Sequence, residues 1–383
     1  MKKRLAFFVG ALIFLLLLLP VQAEEAAGTD LDELLSEQLE ASGAKELERQ
    51  APKAAVGIME ELGLGLEDWR QLLALTPGEF LAAVGGIITE AVRAPVKLFG
   101  VLLGVVVLCA FIDGMKLSFG SRDLDTVFHA VAMLCTAGAV LEPVIRCVER
   151  TAGSIGECSH FMTAFIPVFS GIVAAGGQPV TAGVYRTVLF AVSQLVGQFA
   201  AGTLVPFICI YLAFCFTASL SPGLRLEEVA KAVRTCVTWT MGFVLTVYVG
   251  ILGLQSMVAS GGDNLTYKTT KFLLGNFVPV VGGALSDAFG TAQGCLRMLK
   301  NWVGAYGVAV GAFTFLPVLL EAAVWYGALQ LAALSGDMLG AGRISAVLRA
   351  AGTALGLLLS LTLVFGLLFI VTITIMLLTA SGG

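Results

Sequence analysis

The residues able to do chemistry are few and scattered. The only two histidines, His129 and His160, stand far apart, and the chain has no His-Glu-x-x-His, no P-loop lysine motif and no Gly-x-Ser-x-Gly. Zinc-protease and ATPase chemistry are therefore not supported by any spacing in the sequence. Ser260-Gly261-Gly262-Asp263 faintly suggests an intramembrane aspartyl site. That chemistry needs two membrane-embedded aspartates, one of which can stay protonated. Asp263 sits in the polar stretch 261–270 and reads as a loop residue. Cys109, Cys135, Cys147, Cys158, Cys209, Cys215, Cys236 and Cys295 lie mostly in apolar runs, where thiols behave as small hydrophobes. No cofactor and no metal is expected.

More informative are the ionisable residues beside apolar segments, because charge in lipid is expensive and normally faces protein or water. Those are Glu142, Arg186, Asp287, Arg297 and Glu321. Glu142 and Arg186 read most simply as segment ends. Glu321 follows Phe315-Leu316-Pro317-Val318-Leu319-Leu320 and precedes Trp325-Tyr326, so it is either an interfacial loop residue or a buried polar contact.

The elements that must position these groups are membrane helices. Of 383 residues, 57% are hydrophobic and 13% charged, against roughly 25% charged in an average soluble domain. A net charge of -4 offers no basic nucleic-acid surface. The chain starts Lys2-Lys3-Arg4, runs apolar from 5 to 19, and exits through Val21-Gln22-Ala23, the pattern of a signal peptide. Cleavage after Ala23 is expected, with an uncleaved anchor as the alternative. Residues 24–95 then hold 15 Asp and Glu against 5 Lys and Arg, and contain no cysteine. They read as an acidic extracytoplasmic segment that folds by helix packing without disulfides. Asp30 with Glu33, and Thr76-Pro77-Gly78-Glu79, are helix starts. After the second, Phe80, Leu81, Val84, Ile87, Ile88 and Ala91 form one apolar stripe ending before Pro95. It suits packing on the protein's own body better than a membrane or partner surface.

Apolar segments follow at 96–112, 126–141, 160–176, 184–201, 203–220, 236–254, 302–320, 322–336 and 354–378. An all-α polytopic body, 96–383, with seven to nine spans is expected. The segment 160–176 contains Pro167, and 272–289 contains Asn276, Pro279 and Asp287. Both are candidates for broken or re-entrant helices. The loop 221–235 carries Arg225, Lys231 and Arg234 and is the best cytoplasmic candidate.

A fixed-offset comparison pairs Phe165-Ile166-Pro167-Val168 with Phe277-Val278-Pro279-Val280, Arg186 with Arg297, and Pro206 with Pro317. Two repeats, 161–258 and 272–372, are the reading. The alternative is that Gly-rich apolar sequence matches itself by chance. Pro-broken segments at corresponding positions would point to a central site or pathway.

Leu254-Gln255-Ser256-Met257-Val258-Ala259, then Lys271-Phe272, then Gly275-Asn276-Phe277-Val278-Pro279-Val280-Val281-Gly282-Gly283 resembles the signature of the stage III sporulation protein AE family of endospore-forming bacteria. The order of signal peptide, helical extracytoplasmic part and polytopic body is also similar. The resemblance implies a non-enzymatic subunit of the multiprotein channel joining mother cell and forespore. It implies as partners the ATPase, ring-forming and other membrane stage III sporulation proteins and, directly or indirectly, stage II sporulation protein Q. It places the chain in the mother-cell-derived membrane around the forespore, its N-terminal part in the intermembrane space. No catalytic residue is carried over. The expected assembly or pathway residues are Gln255, Lys271, Asn276, Pro279, Gly282, Gly283 and Asp287, with Pro167, Arg186, Arg297 and Glu321. A self-sufficient secondary transporter and a purely structural scaffold fit the same composition.

Overall fold

The computed structural model describes residues 39, 42–65, 77–119, 122–220, 226–277 and 282–381. The signal-peptide reading, Thr76, Arg225 and Pro279 lie outside them. Among the described residues every regular element is a helix: α1 Lys45–Gln50, α2 Lys53–Glu61, α3 Pro77–Phe119, α4 Arg122–Ala175, α5 Pro179–Val184, α6 Phe190–Phe199, α7 Val205–Leu220, α8 Leu226–Phe277, α9 Gly282–Met338 and α10 Gly342–Ser381. Two π turns, Tyr185–Leu189 and Ala200–Leu204, join α5, α6 and α7 into one run. α3 begins at Pro77, the position a fixed φ suits.

Among the described residues six helical runs are long and apolar enough to cross a membrane: Val84–Phe111, Val131–Ala175, Pro179–Ala218, Leu226–Gln255, Gly294–Met338 and Gly342–Leu378. The chain is thus an all-α polytopic membrane protein. Segments that hydropathy separates are merged here. The runs 126–141 and 160–176 are both α4, and 302–320 and 322–336 are both α9. The pair Glu142 and Arg146, one turn apart, supports the helix between the two apolar stretches of α4. At about 1.5 Å per residue α9 is on the order of 85 Å long, well beyond a hydrocarbon slab of about 30 Å.

Several local expectations are corrected. α4 runs unbroken through Pro167, so no break occurs there. A proline in a long helix costs one backbone bond and a clash, and packing on both sides holds the axis: Phe165, Ile166 and Phe169 are fully buried. α3 likewise continues through Pro95, which puts the limit of the acidic segment inside a helix. Asp263 lies on α8 and not in a loop, and α8 absorbs Lys231 and Arg234 from the expected loop 221–235.

The core is made by α4, α9 and α10. α9 and α10 form the most extensive pair, antiparallel, and α4 lies against both. Their hairpin turns at Gly340, φ +82, a left-handed conformation that costs glycine least. Gly177, φ +83, turns the chain after α4 in the same way. α1 packs on α4 and α2 on α9, and Leu47, Ala55 and Met59 are buried. The part of the acidic segment described here is therefore seated on the body. In the stripe at the start of α3, Val84, Ile87 and Ala91 are half-buried and Ile88 is exposed.

Candidate functional site

Glycines set how closely the three core helices approach. Gly304, Gly307 and Gly311 share one face of α9 at spacings of three and four. A Cβ added at Gly307 would meet Phe165 Cε2 at 2.5 Å and Ile373 Cδ1 at 3.1 Å. At Gly311 it would collide with the Phe369 ring, and at Gly304 with Leu377. Into the space left by the missing side chains an aromatic ladder packs. Phe161 and Phe165 stack at 5.6 Å, Phe165 and Phe169 at 5.5 Å, and Phe315 meets Phe365 edge-on at 5.9 Å. Close helix contact through small residues is how membrane helices associate without a hydrophobic drive between them.

Polar groups inside this bundle are bonded helix to helix. Tyr248 Oη and Thr372 Oγ1 lie 2.7 Å apart, and Thr362 donates to Thr151 at 3.4 Å. Gln194 Nε2 donates to the Ser159 carbonyl at 2.9 Å, and Tyr185 Oη to the Met376 carbonyl at 3.2 Å. A small cleft beside them is lined by Cys158, Ser159, Ser193, Tyr248 and Phe365. Each such bond removes a polar group from lipid.

A second polar feature lies on the outer side of α4. Glu142, Arg146, Glu149, Arg150, Gly153, Gly156, Glu157 and His160 recur at helical spacing and are all exposed. Glu142 pairs with Arg146 on the same helix, and Arg150 pairs with Glu321 of α9. Glu321 is 19% exposed and Arg150 63%. Of the two readings left open for Glu321, the structure gives the polar contact on a helix, to a residue 171 positions away in the chain.

The other sequence candidates are dispersed. Gln255 ends the fourth apolar run, is buried, and its Oε1 has no hydrogen-bond partner among the described residues. Lys271 and Asn276 lie on the last turns of α8, and Gly282, Gly283 and Asp287 on the first turns of α9. Pro279 is outside the described residues. Arg186 is exposed in the first π turn, a kind of irregularity frequent at functional sites, and Arg297 is exposed on α9. Among the described residues the structure brings Glu142 and Glu321, of the ionisable residues singled out in the sequence, to the α4 face. Arg150 and the buried Lys300 were missed. For Arg150 the available signal was its place on one exposed helical face with Glu142, Arg146, Glu149 and Glu157. No group of three His, Cys, Asp or Glu able to hold a metal ion occurs among the described residues.

Comparison with known proteins adds the following. The family model described as stage III sporulation protein AE matches residues 68–380. A protein named stage III sporulation protein AE from Bacillus subtilis (strain 168) is 23% identical over 306 residues, covering 79% of this chain and 76% of that protein. No solved structure matches.

Proposed function

The chain belongs to the stage III sporulation protein AE family, and from that premise we propose that it is a non-enzymatic membrane subunit of the complex connecting mother cell and forespore. The family match over residues 68–380 carries the reading, since it takes in all six apolar helical runs. In this proposal the chain sits in the mother-cell-derived membrane around the forespore, with its N-terminal segment in the intermembrane space. Its partners are the membrane, ring-forming and ATPase subunits of stage III and, directly or indirectly, stage II sporulation protein Q.

Two structural features support assembly over a free-standing role. α1 and α2 are seated on α4 and α9, which gives the exported side a built surface. Gln255 keeps a buried amide oxygen without a partner among the described residues, a group that normally costs about 1–3 kcal/mol and is retained where a further contact satisfies it. The segment from Gln255 to Asp287, together with Pro167, Arg186 and Arg297, remains the proposed assembly or pathway region. The division into 161–258 and 272–372 belongs to the same proposal. In both units an apolar run precedes a second long helix, which starts at Leu226 in one and Gly342 in the other.

The test is removal of the chain from cells induced to sporulate. Engulfed forespores should form, and late forespore gene expression should be lost. Late expression at the wild-type level without the chain would contradict the reading.

A further inference from the structure

The depth of the charged α4 face in the membrane follows from α10. Residues 350–383 contain no ionisable side chain. A span needs about 20 residues, and every 20-residue window between 350 and 381 includes 362–369. Thr362 at the edge of that common stretch bonds to Thr151 of α4. Phe369 at its other edge packs against Phe161 of α4. Residues 151–161 of α4 therefore share the depth at which α10 crosses hydrocarbon. Gly153, Gly156, Glu157 and His160 are on the exposed side of α4 at that depth, with Glu149 and Arg150 one turn away.

A different helix at the same depth shows what a lipid-facing surface looks like in this protein. Tyr248 of α8 bonds to Thr372, which sets Trp239 and Phe243 near the level of 362–369. Those two residues are 77% and 69% exposed. α8 thus turns large apolar side chains outward where α4 turns out glycines, carboxylates and a histidine.

Charge at this depth must meet water or protein. A second copy of this face is disfavoured by charge. Between Arg146 and His160 the exposed residues are Glu149, Arg150, Gly153, Gly156 and Glu157. The two guanidinium groups are already paired within the chain, with Glu142 and Glu321. Glu149 and Glu157 are left as the excess charge, so a second copy of this face would oppose acid to acid. At Gly153 and Gly156 an added Cβ would meet nothing within 4 Å, which leaves the helix surface recessed between the charges.

We propose that the α4 face from Arg146 to His160, bordered by Glu321 of α9, lines a water-filled path across the membrane for small hydrated ions or solutes. The inference rests on the membrane-subunit reading above and names the surface that would carry its passage.

The experiment places single cysteines at Gly153, Gly156 and, as the control at equal depth, Phe243, in the otherwise native protein. Membranes from sporulating cells are treated with the impermeant cation methanethiosulfonate ethyltrimethylammonium, and modification is read peptide by peptide by mass spectrometry. Only a hydrated thiol ionises and reacts readily, so Gly153→Cys and Gly156→Cys should be modified about tenfold faster than Phe243→Cys. Equally slow reaction at all three positions would overturn the proposal. So would reaction at 153 and 156 only after solubilisation, which would mark the face as covered by another protein. Co-purification of the other sporulation proteins, measured on the same membranes, separates the two failures. An intact assembly without labelling refutes the path alone, whereas a missing assembly refutes the reading beneath it.

Discussion

Gly311→Val should prevent the protein from accumulating. The new side chain enters the space occupied by the Phe369 ring, and that ring is hemmed in by Phe161 and Phe315, each with its centroid 6.3 Å away. Overpacking of this kind costs typically about 1–3 kcal/mol, against which the better helix propensity of valine over glycine returns only a few tenths. Against a total stability on the order of 5–15 kcal/mol, the upper end of that range is enough to deplete the folded state in cells. Gly250→Ala is the matched comparison: an added Cβ there meets nothing within 4 Å, and alanine gains up to about 1 kcal/mol in helix propensity. Thermal unfolding in detergent should show a lowered midpoint for Gly311→Val and an unchanged or raised one for Gly250→Ala. A wild-type midpoint for Gly311→Val would mean that the α9 and α10 contact is looser than described.

Loss of Glu321 should have the second-largest effect. Glu321→Ala leaves the Arg150 guanidinium at membrane depth without its carboxylate. Arg150 is 63% exposed on the single chain, so the full penalty of a buried unpaired charge does not apply. A destabilisation of about 1–2 kcal/mol is expected, between what an exposed ion pair and a hydrogen bond to a charged group contribute. Reversing the pair, Glu321→Arg with Arg150→Glu, should recover part of it. The double-mutant cycle from unfolding midpoints reads the coupling directly. Additive effects would show that the two side chains do not act as a pair.

The sequence and the structure agree where hydrophobicity dominates. Apolar runs mark the spans. They part where a hydropathy window reads charge as the end of a segment. Glu142 to Ser159 appears as a gap between two spans, although α4 continues through it. Prolines mislead in the same way: Pro95, Pro143, Pro167 and Pro317 all lie inside continuous helices. Of the 45 glycines, local sequence does not say which ones meet a neighbour. Gly304, Gly307 and Gly311 could have been singled out by their common helical face. The pairing of Glu321 with Arg150 could not, because it depends on which helices the topology brings together. The resemblance was most specific at 254–287, whereas the polar surface that the structure exposes at membrane depth lies on α4.

The central claim, that the chain works as one subunit of a larger sporulation complex, is tested most directly by gentle purification of the full-length protein from sporulating membranes. Co-purifying proteins would be identified by mass spectrometry. Other stage III sporulation proteins should be recovered with it in constant proportion. Recovery of the chain alone, together with solute uptake by the purified chain in liposomes, would contradict the claim and favour a self-sufficient transporter.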